Sequence, residues 1–154
     1  MGWIVPSQAL VKEYEFIAEC DPALDCDAKD FREAYRRYRE QGDRSGLPLR
    51  PGQTPAVWVL RHLIGRPLTR VMALMSEGNH LEGLYMAAQY TIKSVSGVSI
   101  DTGGDFELAP GICRDTRAPM LMDQQMAVLH NMSPALIYQL GRRAVEAASP
   151  GPLS

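Results

Sequence analysis

Residues 12–19, KEYEFIAE, set Tyr14, Phe16 and Ala18 against Glu13, Glu15 and Glu19, and only Ile17 breaks the alternation. A period of two predicts a strand with one buried face. Asp21-Pro22 ends it, because proline has no amide hydrogen for a ladder and favours a turn. From Asp25 to Gln41 the period changes. Phe31, Ala34, Tyr35 and Tyr38 fall on one side of a helix, Asp27 stands where a cap would, and Gly42 is a natural stop. Residues 43–55 hold three prolines and two glycines and are predicted to be a loop.

Residues 56–63, AVWVLRHL, are almost continuously apolar and rich in β-branched and aromatic types, which predicts a central strand. Gly65 to Glu77 follows as a helix with Pro67 in its first turn and Leu68, Val71, Met72 and Met75 along one side. Asn79 to Lys93 is predicted to be another, capped by Asn79, with Leu81, Leu84, Tyr85, Ala88 and Ile92 on one face. Val95 to Leu108 brackets an Asp-Thr-Gly-Gly turn and is predicted to be a hairpin. Pro119 to His130 and Ser133 to Ala148 complete the pattern as a helical pair, the second opened by Ser133-Pro134.

These elements specify an α+β fold. A small, mostly antiparallel sheet is built from about 13–19, 56–63 and 95–108, with four to five helices against it. One domain over 1–148 and a flexible tail over 149–154 suit a chain of 154 residues. The composition, 45% hydrophobic and 22% charged, is that of an ordinary globular protein. A net charge of −2 provides no global field for nucleic acid or an anionic membrane. Apolar runs are too short to span a bilayer. Pro6 interrupts the short apolar start and no basic residue precedes it, so no secretory leader is expected.

Candidate chemistry is sparse. Cys20, Cys26 and Cys113 are an odd number, which argues for free thiols in a reducing compartment. Cys20 and Cys26 are too far apart for the usual zinc pair. His62, His80 and His130 are scattered, and no nucleophile elbow is present. The acidic run Glu19, Asp21, Asp25, Asp27 and Asp30 lacks the spacing and glycine of a calcium loop. Gly103-Gly104 is not followed by a helix and makes no phosphate cradle. No catalytic residue, metal ligand, cofactor or small-molecule substrate is therefore expected.

Two surfaces stand out for protein binding. One is the arginine- and tyrosine-rich helix within 28–41, with Tyr35, Arg36 and Tyr38 as anchors. The other is the methionine-rich stretch 120–132, with Met120, Met122 and Met126. If 120–122 is helical, Met-Leu-Met points in three directions, and some of it is left for a partner. The alternatives are a Cys/His metal protein or enzyme, and a nucleic-acid regulator using the arginine helix. Glu33 and Glu40 interleave with those arginines and weigh against the second.

YEFIAECDPALD (14–25), PGQTPAVWVLRHL (51–63), VSGVSIDTGGDFEL (95–108) and SPALIYQLGRRAVEAAS (133–149) together resemble small accessory proteins of tailed bacteriophages, of the virion-morphogenesis or tail-assembly-chaperone type. The chain departs from that pattern at Gln139-Leu140-Gly141, where an acidic residue usually precedes the leucine. The resemblance implies a protein partner, either a phage structural protein or a second copy. It also implies residence in the host cytoplasm during assembly, with retention in the virion left open.

Overall fold

The computed structural model describes residues 2–4 and 13–148. The expected tail over 149–154 and Lys12 at the head of the first strand lie outside the described residues. In chain order the elements are β1 (Glu13–Phe16), α1 (Phe31–Gln41), β2 (Val57–Arg61), α2 (Gly65–Ser76), α3 (His80–Thr91), β3 (Ile92–Ser96), β4 (Gly111–Ile112), β5 (Pro119–Met120), α4 (Asp123–Met132) and α5 (Pro134–Ala148). The fold is α+β. The sheet is antiparallel with β2 in the middle, as its near-continuous apolar character requires, and β4 and β5 form a separate short ribbon.

One face of the sheet is buried, whereas the other, with Glu13 and Glu15 exposed and Val57 and Val59 half-buried, is covered only toward Ile17. Phe16, Trp58 and Leu60 face a core completed by Leu121, Met126, Leu129, Ile137 and Leu140. Ile17 faces the other way, among Leu24, Phe31, Tyr35, Tyr38 and Leu47. Ile17 lies just past the end of β1, and its break in the alternation marks a separate cluster beneath α1.

Helix α1 buries the four predicted residues and ends at Gly42, which has φ 73° and donates its N–H to the Tyr38 carbonyl at 2.8 Å. It starts at Phe31, six residues later than expected, and Asp27 does not cap it. Asp25 instead accepts the Asp27 N–H at 3.2 Å, and the Asp25 N–H donates to the Pro48 carbonyl at 2.9 Å. Short acidic side chains offer the backbone an alternative to the helix, and here that alternative prevails.

Two further boundaries differ from expectation. Helix α3 stops at Thr91, and the third strand is Ile92–Ser96 rather than a segment starting at Val95. The glycine turn sits where predicted, with Phe106 N–H donating to Val98 O at 2.8 Å and Ile100 N–H to Gly104 O at 2.9 Å, but its arms share only an isolated bridge at Ser99–Asp105, and the expected return arm through Phe106 and Leu108 is not a strand of the sheet. Secondly, 119–122 is extended. Because α3 has ended, the Gln89 carbonyl is free, and it accepts the Leu121 N–H at 2.9 Å. The buried Gln89 side chain donates back to the Leu121 carbonyl at 2.8 Å. Helix α4 begins only at Asp123.

Two contacts fix the frame. At Gly141 in α5, an added Cβ would lie deep inside van der Waals contact with the Leu84 carbonyl oxygen of α3. At Ile17, just past β1, Tyr35 donates its hydroxyl to the carbonyl (2.7 Å), and the Ile17 N–H donates to the Tyr38 hydroxyl (2.9 Å).

Gly141→Ala should destabilise the protein by about 1–3 kcal/mol through overpacking, although alanine in a helix interior ordinarily gains about 1 kcal/mol over glycine. Urea denaturation reads the sign directly. Tyr35→Phe should cost about 1–3 kcal/mol, because it leaves the buried Ile17 carbonyl without its donor. The same denaturation experiment checks it.

Candidate functional site

The central strand enters the sheet beside an open apolar groove of about 380 Å³. Its walls come from four parts of the chain: Ala18 and Cys20 after β1, Ala56 and Trp58 of the β2 region, Val98 after β3, and Met132 and Leu136 at the α4–α5 corner. Trp58 is only 1% exposed and forms a fixed wall, whereas Met132 is 46% exposed at the rim. One or two large apolar side chains fit a space of this size.

Two polar side chains at the groove cross-link its walls. One Asp21 oxygen accepts the Ala23 N–H and the other the Ala56 N–H, both at 2.8 Å, tying the exit of β1 to the entry of β2. The Cys20 N–H donates to the Gln139 side chain at 3.0 Å, tying the same turn to α5. The Cys20 thiol lies 4.0 Å from the Ser133 hydroxyl. Burial raises its pKa, only partly opposed by that contact, so it stays protonated at neutral pH.

The expected anchors are placed differently. Tyr35 and Tyr38 are core residues committed to Ile17, and burial pushes both phenols up. Met126 is 0% exposed. These three cannot meet a partner while the fold is intact, which corrects the expectation drawn from their spacing. Amphipathic periodicity identifies a face but not whether a second element covers it. Met120 is partly buried in the third core cluster, and Met122 is exposed beside Gly111. Neither belongs to a helix, so the three-directional argument for Met-Leu-Met does not apply.

Arg36 is exposed, but Glu33 and Glu40 flank it at 4.0 and 3.3 Å. Arg37 meets Glu33 at 3.8 Å, and Arg39 pairs with Glu146 of α5. Much of the helix's positive charge is therefore matched on the protein itself, which removes much of its appeal to phosphates.

The cysteines are free and sit in three separate places. Cys26 is exposed in the acidic turn, 3.9 Å from an Arg50 nitrogen. Cys113 is buried beside the Tyr90 hydroxyl at 3.6 Å. The Thr116 hydroxyl and N–H, followed by Tyr90 and the Asp115 N–H, bring its thiol down to about 7 against desolvation. His62 packs edge-on against Tyr14 at 5.7 Å. Among the described residues, no three His, Cys, Asp or Glu side chains come together to hold a metal ion.

Sequence reasoning missed the groove because none of its four segments carries a motif. The local signal available was Met132 directly before Ser133-Pro134, an apolar side chain at a helix corner. Comparison with protein-family models, curated proteins and solved structures returns no match.

A depressed thiol pKa has a definite consequence for stability. The ordinary value is 9.0 and the folded value is about 7, so the thiolate is the favoured form in the fold. The stability Cys113 contributes this way should be complete above about pH 9 and lost as pH falls through about 7. Cys113→Ala should therefore lose more stability, relative to the parent, at alkaline than at mildly acidic pH. Paired denaturation curves across that window check it.

Proposed function

We propose that this protein is a bacteriophage assembly or virion accessory protein that works by holding a structural partner in the apolar groove at the entry of β2. The observation that carries this reading is the groove itself. It is apolar, open and walled by elements that Asp21 and Gln139 cross-link, so it exists before any partner arrives. Preformed pockets with apolar walls are where a few partner side chains supply most of the binding energy. The partner segment it suits presents one or two large aliphatic or aromatic side chains. Met132 at the rim can adjust to their shape, because its side chain is flexible and polarisable.

The phage-like sequence patterns supply the class of partner, and all four stretches contribute to the groove wall: Ala18 and Cys20, Ala56 and Trp58, Val98, and Leu136. Binding rather than chemistry suits a site whose carboxylate is fully engaged and whose thiol is held protonated. Among the described residues, no helix is long and apolar enough to cross a membrane. The proposed setting is the host cytoplasm during assembly.

Pull-down against the capsid, portal and tail proteins encoded alongside it tests the reading. The parent should retain one of them, and Met132→Glu should weaken that capture by about tenfold or more while leaving the melting temperature unchanged. Equal capture by the variant, or no capture of any virion protein by the parent, would overturn it.

A further inference from the structure

At the other end of the same central strand, where β2 leaves the sheet for α2, lies a second cleft of about 430 Å³. We propose that this cleft binds a small organic anion, with a carboxylate or phosphate head on an apolar body. It is independent of the groove and of the partner proposed for it.

The polar lining is one-sided. Arg61, His62, Arg66, Tyr90 and Thr116 face the space, and no carboxylate lines it among the described residues. Two acids outside the lining, Asp115 and Glu13 (the cross-strand partner of Arg61, whose charge partly supports that guanidinium), are each paired with another cation. Asp115 meets Arg70 at 3.0 Å, and Glu13 meets Lys93 at 2.6 Å. Arg61 and Arg66 reach only backbone carbonyls, those of Ile92 and Asp115, each at 3.5 Å. Neither guanidinium forms an ion pair with a described residue. That differs from α1, where most arginines meet a carboxylate of their own helix or of α5.

Arg61 is only partly exposed, and desolvation weighs against its charge. An anion placed between Arg61 and Arg66 would offset that cost. Guanidinium groups are suited to the task, because their donors match the oxygens of a carboxylate or phosphate. The first turn of α2 adds to the same sign. Ile64 stands at its cap position and has no acceptor to offer, and no acidic residue follows in that turn. The remaining lining is apolar around Leu63, which gives an aliphatic or aromatic body somewhere to rest. Tyr90 is held in place from behind, its hydroxyl accepting from Arg70 at 3.1 Å. A cleft of this size, apolar with a few convergent polar groups, has the general form of a small-molecule site.

The test is a ¹⁵N–¹H NMR titration of the full chain with phenyl phosphate, benzoate and inorganic phosphate, each to about 10 mM. Saturable shifts centred on Gly65, Arg66 and Thr116 are expected with phenyl phosphate, benzoate or both. Which of them binds more tightly identifies the head group. Arg66→Gln, at an exposed position, should weaken that binding by about tenfold or more. The dispersion of its spectrum reports at the same time that the variant is folded. The proposal is overturned if neither aromatic anion gives saturable shifts. It is also overturned if Arg66→Gln binds as the parent does, or if inorganic phosphate alone binds as tightly as the aromatic anions.

Discussion

Helix α5 can rest on α3 because Gly141 has no side chain. At that point the backbone of one helix meets the Leu84 carbonyl of the other, with no room for even a methyl group. Much follows from this approach. Helix α3 runs without a loop into β3, so the seat of α5 also sets where the third strand meets β2. The start of α5 carries Leu136 and its middle carries Gln139, so the same seat closes the groove and fixes the turn at Cys20. A glycine inside a helix costs about 1 kcal/mol in propensity. Here that cost is exchanged for a close helix contact on which the sheet and the apolar groove depend.

The ends of the elements are held by a second device: buried polar side chains take over where regular hydrogen bonding stops. Tyr35 and Tyr38 complete both backbone groups of Ile17 once β1 has ended. Gln89 does so for Leu121 after α3, and the buried Thr91 hydroxyl donates back to Ala87 at 2.7 Å. Each arrangement meets the requirement that a buried backbone group find a partner, and each uses a residue whose type says little about its place. Tyr14 is the contrasting case. Its hydroxyl is buried without a hydrogen-bond partner, and burial lifts the phenol to about 12. Its ring, however, is engaged by Arg143 at 5.2 Å on one side and by His62 on another.

This explains which parts of the fold were legible in the sequence. The face of α1, the centrality of β2, the stop at Gly42 and the start at Ser133-Pro134 rest on local periodicity and local caps. All are visible without knowing the neighbours. The end of α3 and the extended path through Met120 to Met122 depend on Gln89 meeting Leu121, 32 residues away. Nothing near either residue announces that meeting. The surfaces were harder still. Tyr35, Tyr38 and Met126 have the types expected of anchors at an interface, but those types also fill cores. Only the packing of Ile17 and of the α4–α5 pair decides between the two. Arginines were equally ambiguous: those of α1 find carboxylates close by, whereas Arg61 and Arg66 lie 30 residues along the chain with none within ion-pair reach among the described residues.

The two candidate sites sit at opposite ends of β2, and their chemistry differs because their surroundings do. At the entry, the strand emerges among mainly apolar segments, and the one carboxylate there, Asp21, is engaged by two backbone amides, which leaves a surface suited to apolar side chains. At the exit, Arg61 lies at the edge of the core, where desolvation makes an unpaired cation costly and a visiting anion favourable. Between them run five residues of central strand, bonded on both sides by β1 and β3. Energetic coupling between sites needs an element with two arrangements that both sites bias. A strand hydrogen-bonded on both edges, with Trp58 and Leu60 fixed in the core, is poorly suited to supply one. The frame thus presents two separate surfaces, one apolar and one cationic, with no movable element joining them.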